Sequence, residues 1–576
     1  MSGVKGIQHD NAAQRKTYVG YVYEIGTNKI IEDTLNELDP RYSQLHKEGK
    51  IHIHDLEAYG QTYNCLQMDV LQGFPYERLR HFSDFRKITE IFNHYRNLIV
   101  KLGNEQSGGI GFPNFDDELA VLFERLNIPV NDENLQVLND SIESFIFWIN
   151  DARERCGQVT YYVSLNLGIS TKKVGRFTTR STIEHFKDTP LDVIKPNLIF
   201  KIKNGVNYLP EDPNCDLFCL AVESTCKKMI PTYLLFDSMP NKIYDPYDIG
   251  IMGCRTRVVA NLFGEPRSIG RANIDYATIN LPRIALEIDR DHPDMSLNNK
   301  FDLFKENWTK TAVLVKEILI DRYHRLLKLE PSDFPSNFQF NLWIKDFKTT
   351  DSLEEIFKDG TLSVGFIGLS EAVEVLSGEK YYSSEENHAR ALDIVKHMKE
   401  VIDGFIDKDE LNFTLLASSG EFISGRFPEI DKHYFDHKVI DKEFYTNSFH
   451  VDVDSDLHPI QKIQLEGPFH IYATGGCISY VEFSSATLNN KKAVMEIIET
   501  GINNGVNYLG INFPLDKCRG CGEQGTFDDC PNCGSNDIFR IRRVSGYLEE
   551  LDFFTPGKKA ETTQRRPNDC VNKCGE

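Results

Sequence analysis

Four cysteines near the C-terminus carry the clearest chemistry in this chain. Cys518, Cys521, Cys530 and Cys533 form two Cys-x-x-Cys-Gly knuckles a short loop apart. Four thiolates at this spacing can close a tetrahedron around Zn²⁺, and the glycine behind each knuckle relieves a tight turn. Two disulfides would use the same residues, but only in an oxidising compartment. The N-terminal stretch MSGVKGIQHDNAAQRK is polar and lacks the apolar core of a signal peptide. A structural zinc site is therefore the expectation. Two weaker clusters read as structural. His52, His54 and Asp55 alternate along a short strand, where histidines usually complete hydrogen bonds. Cys215 and Cys219 stand one helical turn apart and are read as packing residues.

Directly behind the knuckles comes Arg543-Val544-Ser545-Gly546-Tyr547. Alone, a glycine before an aromatic is a turn residue. Behind a four-cysteine unit near the C-terminus, the pattern resembles the glycyl radical enzymes, in particular the anaerobic (class III) ribonucleotide reductases. In those enzymes a zinc ribbon precedes an Arg-x-x-Gly-Tyr loop. The resemblance implies that Gly546 carries a stable radical. Glycine suits the task physically. Without a side chain, a Cα radical lies flat between the amide nitrogen and the carbonyl, and both delocalise the electron.

Other blocks follow in the family's order, from about residue 12 to 566. Gly253-Cys254-Arg255 and the later GRANIDYATINLPRIAL are similar to the family's central loop, which implies that Cys254 becomes a transient thiyl radical. The block IHIHD…C implies that Cys65 faces the substrate from the opposite side and supplies a proton. Asn280, or less readily Asn273, is expected to orient substrate. LLASSGEFISGRF is similar to the family's TPAE…GRF. It implies that Glu421 lies in the substrate site, with Ser418, Ser419 and Gly420 near the phosphates, although Ser-Ser-Gly replaces Thr-Pro-Ala. Free N–H groups opening a helix suit phosphate oxygens. Cys477 has no place in the family pattern and reads as a buried thiol. In the tail PNDCVNKCGE, Cys570 and Cys574 form a candidate redox relay.

The resemblance implies an α/β fold: a ten-stranded barrel of the glycyl radical enzyme type with a small C-terminal zinc ribbon. Residues 1–514 would form the barrel, 515–537 the ribbon, 538–560 the radical loop and 561–576 a flexible tail. The implied activity is anaerobic reduction of ribonucleoside triphosphates to deoxyribonucleoside triphosphates. The implied partners are a radical S-adenosylmethionine iron–sulfur activase, formate or a thioredoxin- or glutaredoxin-like redoxin as reductant, and a second copy in a homodimer. A dNTP or ATP effector at a specificity site is also implied. The sequence starts almost at the catalytic blocks, so no overall switch of the N-terminal ATP-cone type is expected. One rival is a glycyl radical lyase of the pyruvate formate-lyase type. Its adjacent Cys-Cys pair is missing here, and a zinc ribbon is not expected of it. The other rival is a non-catalytic zinc-ribbon protein, which would make no use of Cys254, Cys65 or Gly546.

The elements that must position these residues are those of a large globular chain. Its 576 residues are enough for a sizeable core. The formal net charge of −21 argues against a nucleic-acid surface, which favours a basic patch. No run of about 18 apolar residues occurs, so no membrane partner is expected, and the protein is placed in the cytoplasm. Apolar periodicity predicts helices over 84–102, 132–157 and 301–328. Short strands are expected at 51–54, 160–166, 276–281 and 478–483, and a mobile tail after Phe554.

Overall fold

The computed structural model describes residues 18–152, 161–259, 261–488, 490–543 and 545–570. Fifteen strands are formed among them. The first eleven are β1 (Ile51–Ile53), β2 (Cys65–Gln67), β3 (Ile110–Phe112), β4 (Val163–Leu167), β5 (Asn197–Ile202), β6 (Thr232–Leu235), β7 (Arg271–Asn280), β8 (Thr361–Ile367), β9 (Asn412–Ala417), β10 (Ser479–Glu482) and β11 (Tyr508–Asn512). They share one sheet, in the order β10-β11-β6-β5-β4-β3-β2-β7-β8-β9, with β1 attached to β7.

Ten strands on that path make two parallel fives. β2 to β6 run parallel to their neighbours, as do β7 to β9 and the pair β10–β11. The fives meet antiparallel at β2/β7 and β11/β6. A parallel bridge from Leu416 to Gly476, just ahead of β10, joins the two ends of the path. The result is a closed ten-stranded α/β barrel. Closure leaves no unpaired edge.

The strands are buried on both faces, as parallel sheets covered by helices must be. The faces differ in chemistry. Along β8, Leu362, Val364 and Phe366 join the apolar core under the helices. Ser363 on the other face meets Thr414 at 2.8 Å and Asn273 at 3.0 Å. The barrel interior is thus lined with hydroxyls and amides able to meet a polar ligand.

The expected helices form with small shifts. Asp84–Leu102 starts at Ser83, whose side chain accepts from the Arg86 N–H, and buries Ile88, Ile91, Tyr95, Leu98 and Leu102 at three- and four-residue spacing. The second helix spans Asp132–Asp151 and ends earlier than expected, at an extended Ala152; residues 153–157 of the expected helix lie outside the described residues. The third spans Leu297–Leu326. β7 is longer than expected because it pairs with β1, β2 and β8 at once.

The expectation of a mobile tail after Phe554 needs correction. Pro556–Gln564 is a helix started by the Thr555 side chain. It buries Lys558 and Glu561 as an ion pair, and Gly557 packs against Gly425 with no space for a side chain on either.

The last four strands, β12 (Leu515–Cys518), β13 (Gln524–Gly525), β14 (Ile538–Arg543) and β15 (Leu548–Glu550), form a separate sheet in the order β13-β12-β14-β15. The expected division between 515–537 and 538–560 runs through this sheet. Gly546 sits in the loop of the β14–β15 hairpin, so the cysteine knuckles and the glycine loop share one framework.

Candidate active site

Two loops enter the barrel from opposite ends. The first leaves β6 and returns to β7. Met252 and Thr256 bridge each other across it, so Gly253, Cys254 and Arg255 form the tip of a narrow hairpin. Gly253 takes φ +57°, the left-handed region that favours glycine. Inward side chains hold this tip. Asn166 on β4 brackets Ile251, donating to its carbonyl and accepting from its N–H. Ser164 and Asn197 donate to the Gly253 carbonyl at 3.1 and 3.0 Å. Buried Arg255 spans the barrel to the carbonyls of Ala417 and Ser418 and to the Tyr480 hydroxyl.

The second loop is the β14–β15 turn. Gly546 is buried against Cys254 so closely that a Cβ built on it would collide with the Cys254 carbonyl and lie 2.6 Å from the Cys254 Cα. Glycine is thus sterically required at 546. Arg543 fixes the loop: its guanidinium donates to the Gly546 carbonyl (3.2 Å), Asn512 Oδ1 (2.6 Å) and the Met229 carbonyl (2.7 Å). This explains the Arg-x-x-Gly spacing. The Tyr480 hydroxyl donates to the Ser545 carbonyl.

Glu421 is buried beside this loop. One carboxylate oxygen accepts from the Ser545 hydroxyl and the other from the Tyr547 hydroxyl, both at 2.8 Å. The sequence placed Glu421 in the substrate site. In the structure both its oxygens accept hydrogen bonds from the neighbours of Gly546. Burial pushes the Cys254 thiol above its ordinary value, while Arg255 and the Ser419 and Ser545 hydroxyls pull it partly back. Cys254 is half-buried and keeps its proton at neutral pH.

Cys65 begins β2. Its Sγ accepts from the Gly109 N–H (3.0 Å) and donates to Asn64 Oδ1 (2.8 Å). Burial raises this thiol strongly. Gly109 also touches the other loop: a Cβ there would lie 2.6 Å from the Gly253 nitrogen. One glycine pair, Gly108–Gly109, therefore separates Cys65 from the tip that carries Cys254.

Ser418 is fully buried and meets Thr278 on β7 at 2.7 Å, and Thr278 in turn meets His54 at 2.8 Å. Gly420 takes φ +62° and packs on Asn447, leading into the helix Ile423–Asp431. Asn280 is a correction. Its amide oxygen accepts from the Arg283 N–H and its amide nitrogen donates to Gly49 and Asp431. It caps the helix Leu281–Asp291 rather than facing substrate. Asn273 donates from its amide nitrogen to Thr361 and Ser363, while its buried amide oxygen has no hydrogen-bond partner among the described residues. Cys477 is a buried thiol beside His470 and Asn507, pushed up to about 12 by burial. Cys570 ends a short helical turn, and Cys574 lies outside the described residues.

The knuckle sulfurs fit a metal. All four Sγ atoms lie within 4.8 Å of one another, with Cys518–Cys533 at 3.5 Å and Cys521–Cys530 at 3.4 Å. A tetrahedron of sulfurs bound at the usual Zn–S length has edges of about 3.8 Å. Gly522 and Gly534 take φ +81° and +72°, and their N–H groups close the turns on the Cys518 and Cys530 carbonyls. Among the described residues no other group of three or more His, Cys, Asp or Glu ligand atoms gathers in this way.

Arg543 was legible through its fixed distance from Gly546. Tyr480, Arg255 and Asn64 were missed, since each acts through a partner far away in the chain or through side-chain orientation.

The closed ten-stranded α/β barrel is a fold shared with a solved glycyl radical enzyme from Archaeoglobus fulgidus, with a TM-score of 0.55 at 10% identity, covering 96% of this chain and 85% of that one. The family model described as anaerobic ribonucleoside-triphosphate reductase matches residues 10–567, so the chain belongs to that family. It is 29% identical over 566 residues to the anaerobic ribonucleoside-triphosphate reductase of Escherichia coli (strain K12), covering 91% of this chain and 77% of the relative. It is 27% identical to that of Enterobacteria phage T4, covering 90% of each. The solved anaerobic ribonucleotide reductase from Thermotoga maritima, in complex with dATP and CTP, shares the fold. Its TM-score is 0.68 at 14% identity, covering 95% of this chain and 92% of that one.

Proposed function

We propose that this protein reduces ribonucleoside triphosphates to deoxyribonucleoside triphosphates without oxygen, through a radical passed from Gly546 to Cys254. The observation that carries this reading is the contact of Gly546 with the Cys254 backbone inside a barrel of this family. A radical at the Gly546 Cα takes the hydrogen atom of the Cys254 S–H. The thiyl then takes the 3′-hydrogen of the ribose. The C2′–O bond breaks, and the oxygen leaves as water with a proton from Cys65. Two electrons and two protons, drawn from the reductant and solvent, then place a hydrogen on C2′ and restore the Cys65 thiol, and Cys254 returns its hydrogen to C3′. The burial that keeps both thiols protonated suits these steps. The barrel's contribution is to position the reactants and exclude water from reactive intermediates.

Zn²⁺ held by Cys518, Cys521, Cys530 and Cys533 would crosslink the sheet that carries the glycine loop. A radical S-adenosylmethionine activase would generate the radical. The reductant is formate or a redoxin acting through the tail pair Cys570 and Cys574. A dNTP or ATP effector, a homodimer and a cytoplasmic setting complete the reading. Activated protein given CTP should form deoxy-CTP with formate or with a reduced redoxin. Protein that carries the radical but yields no deoxynucleotide with either reductant would contradict the assignment.

A further inference from the structure

Cys65 does not stand alone. Its thiol donates to Asn64 Oδ1, and the other end of that amide donates to Asp55 Oδ2 at 2.7 Å. Ser107 donates to the same carboxylate oxygen at 2.6 Å. Asp55 is buried and takes φ +47°, a conformation uncommon outside glycine, asparagine and aspartate. It is held there by Arg322, which donates to the carbonyls of His54 (2.7 Å) and Asp55 (3.2 Å). The turn at 55 and the start of β2 are thus tied together behind the thiol.

The chemistry of the chain has one direction. A carboxylate only accepts, so Asp55 draws the amide nitrogen of Asn64 toward itself. The amide is planar, so its oxygen then faces Cys65. With the Gly109 N–H on the sulfur from the other side, the S–H proton has one partner, and that partner's orientation is fixed two residues away in the network. An asparagine without Asp55 could turn round and offer N–H groups to the sulfur.

We propose that Asp55 is a positioning residue for the reaction, setting through Asn64 the direction of the Cys65 S–H. The proposal rests on the reading of Cys65 as proton donor given above. It also goes further, because it assigns work to a carboxylate that reaches the thiol through Asn64. A merely structural Asp55 would tie two loops together and leave the thiol indifferent.

The test uses the whole protein, purified without oxygen. The infrared S–H stretch of Cys65 is isolated by subtracting the spectrum of Cys65→Ser. Asp55→Asn keeps the backbone, since asparagine accepts a positive φ, but it can offer N–H where the carboxylate only accepted. In that variant, and in Asn64→Ala, the Cys65 band should move toward the frequency of a free thiol. In activated enzyme Asp55→Asn should lower kcat about tenfold, as expected for losing an aligned hydrogen bond to a charged group. KM for CTP and the amplitude of the glycyl radical signal should not change. A Cys65 band at its wild-type position in Asp55→Asn, or kcat within about twofold of wild type, would overturn the proposal. The band is read on resting protein, so a failure of the radical reading would show separately, as a wild-type enzyme that activates to no signal.

Discussion

The carbonyl of Cys254 occupies the place where a side chain on residue 546 would begin. A barrel loop and a hairpin from a separate sheet, almost three hundred residues apart in sequence, converge on that single contact. It ties a residue able to hold a delocalised radical to a residue whose S–H can give up a hydrogen. It also explains why Arg543, Glu421 and Tyr480 crowd round one glycine: each holds the loop against the barrel without needing a side chain at 546.

Cys254→Ser should separate radical storage from chemistry. The hydroxyl is close in size to the thiol, so the loop should fold, but its O–H bond is too strong to give its hydrogen to a glycyl radical. The variant is expected to reach wild-type glycyl signal on activation and to form no deoxynucleotide. Measurable turnover would remove Cys254 from the radical path.

Glu421→Ala should loosen the glycine loop. The Ser545 and Tyr547 hydroxyls are buried and would each lose a carboxylate partner. Each loss costs about 1–3 kcal/mol, so local opening should become easier by about 2–6 kcal/mol. Hydrogen exchange at residues 545–547 reports this directly. Exchange rates equal to wild type would show that the loop is held by Arg543 and Tyr480 alone.

The four-cysteine unit and the glycine loop share a sheet, so the metal should matter at a distance. Cys533→Ser is expected to lower bound zinc from about one per chain to near zero. It should also speed amide exchange in the β14–β15 hairpin and lower the radical yield after activation. Zinc lost with hairpin exchange unchanged would reduce the metal to a local staple.

Burial pushes the Glu118 carboxyl up to about 8, far above an ordinary glutamate near 4.5. Folding therefore binds a proton at this site. The stability it contributes is complete below the unfolded value and is lost as pH rises through about 8. Glu118→Gln, uncharged throughout, should match wild type in Tm at pH 5 and exceed it at pH 9. Equal Tm differences at both pH values would refute the assignment.

The sequence was legible where chemistry demands fixed spacing. The Cys-x-x-Cys-Gly pairs and the Arg-x-x-Gly-Tyr run are local patterns whose geometry is set within a few residues. Cys254 and Cys65 were legible only through their surrounding blocks, because a lone cysteine is as readily a small buried hydrophobe. What could not be read was how distant segments divide the labour. Asn280 looked like a substrate ligand but caps a helix. Glu421 was read only for the substrate site, yet it also accepts from the hydroxyls on both sides of Gly546. The polar stretch after Phe554 looked mobile, yet it packs, because Lys558 and Glu561 pair inside the protein. In each case the deciding partner lies across the fold, beyond the reach of local periodicity.

The most direct test of the central claim is electron paramagnetic resonance after anaerobic activation with a radical S-adenosylmethionine activase. The account predicts a doublet from a glycine Cα radical in wild type and none in Gly546→Ala. A wild-type protein that stays silent with a competent activase, or a doublet that survives Gly546→Ala, would contradict it.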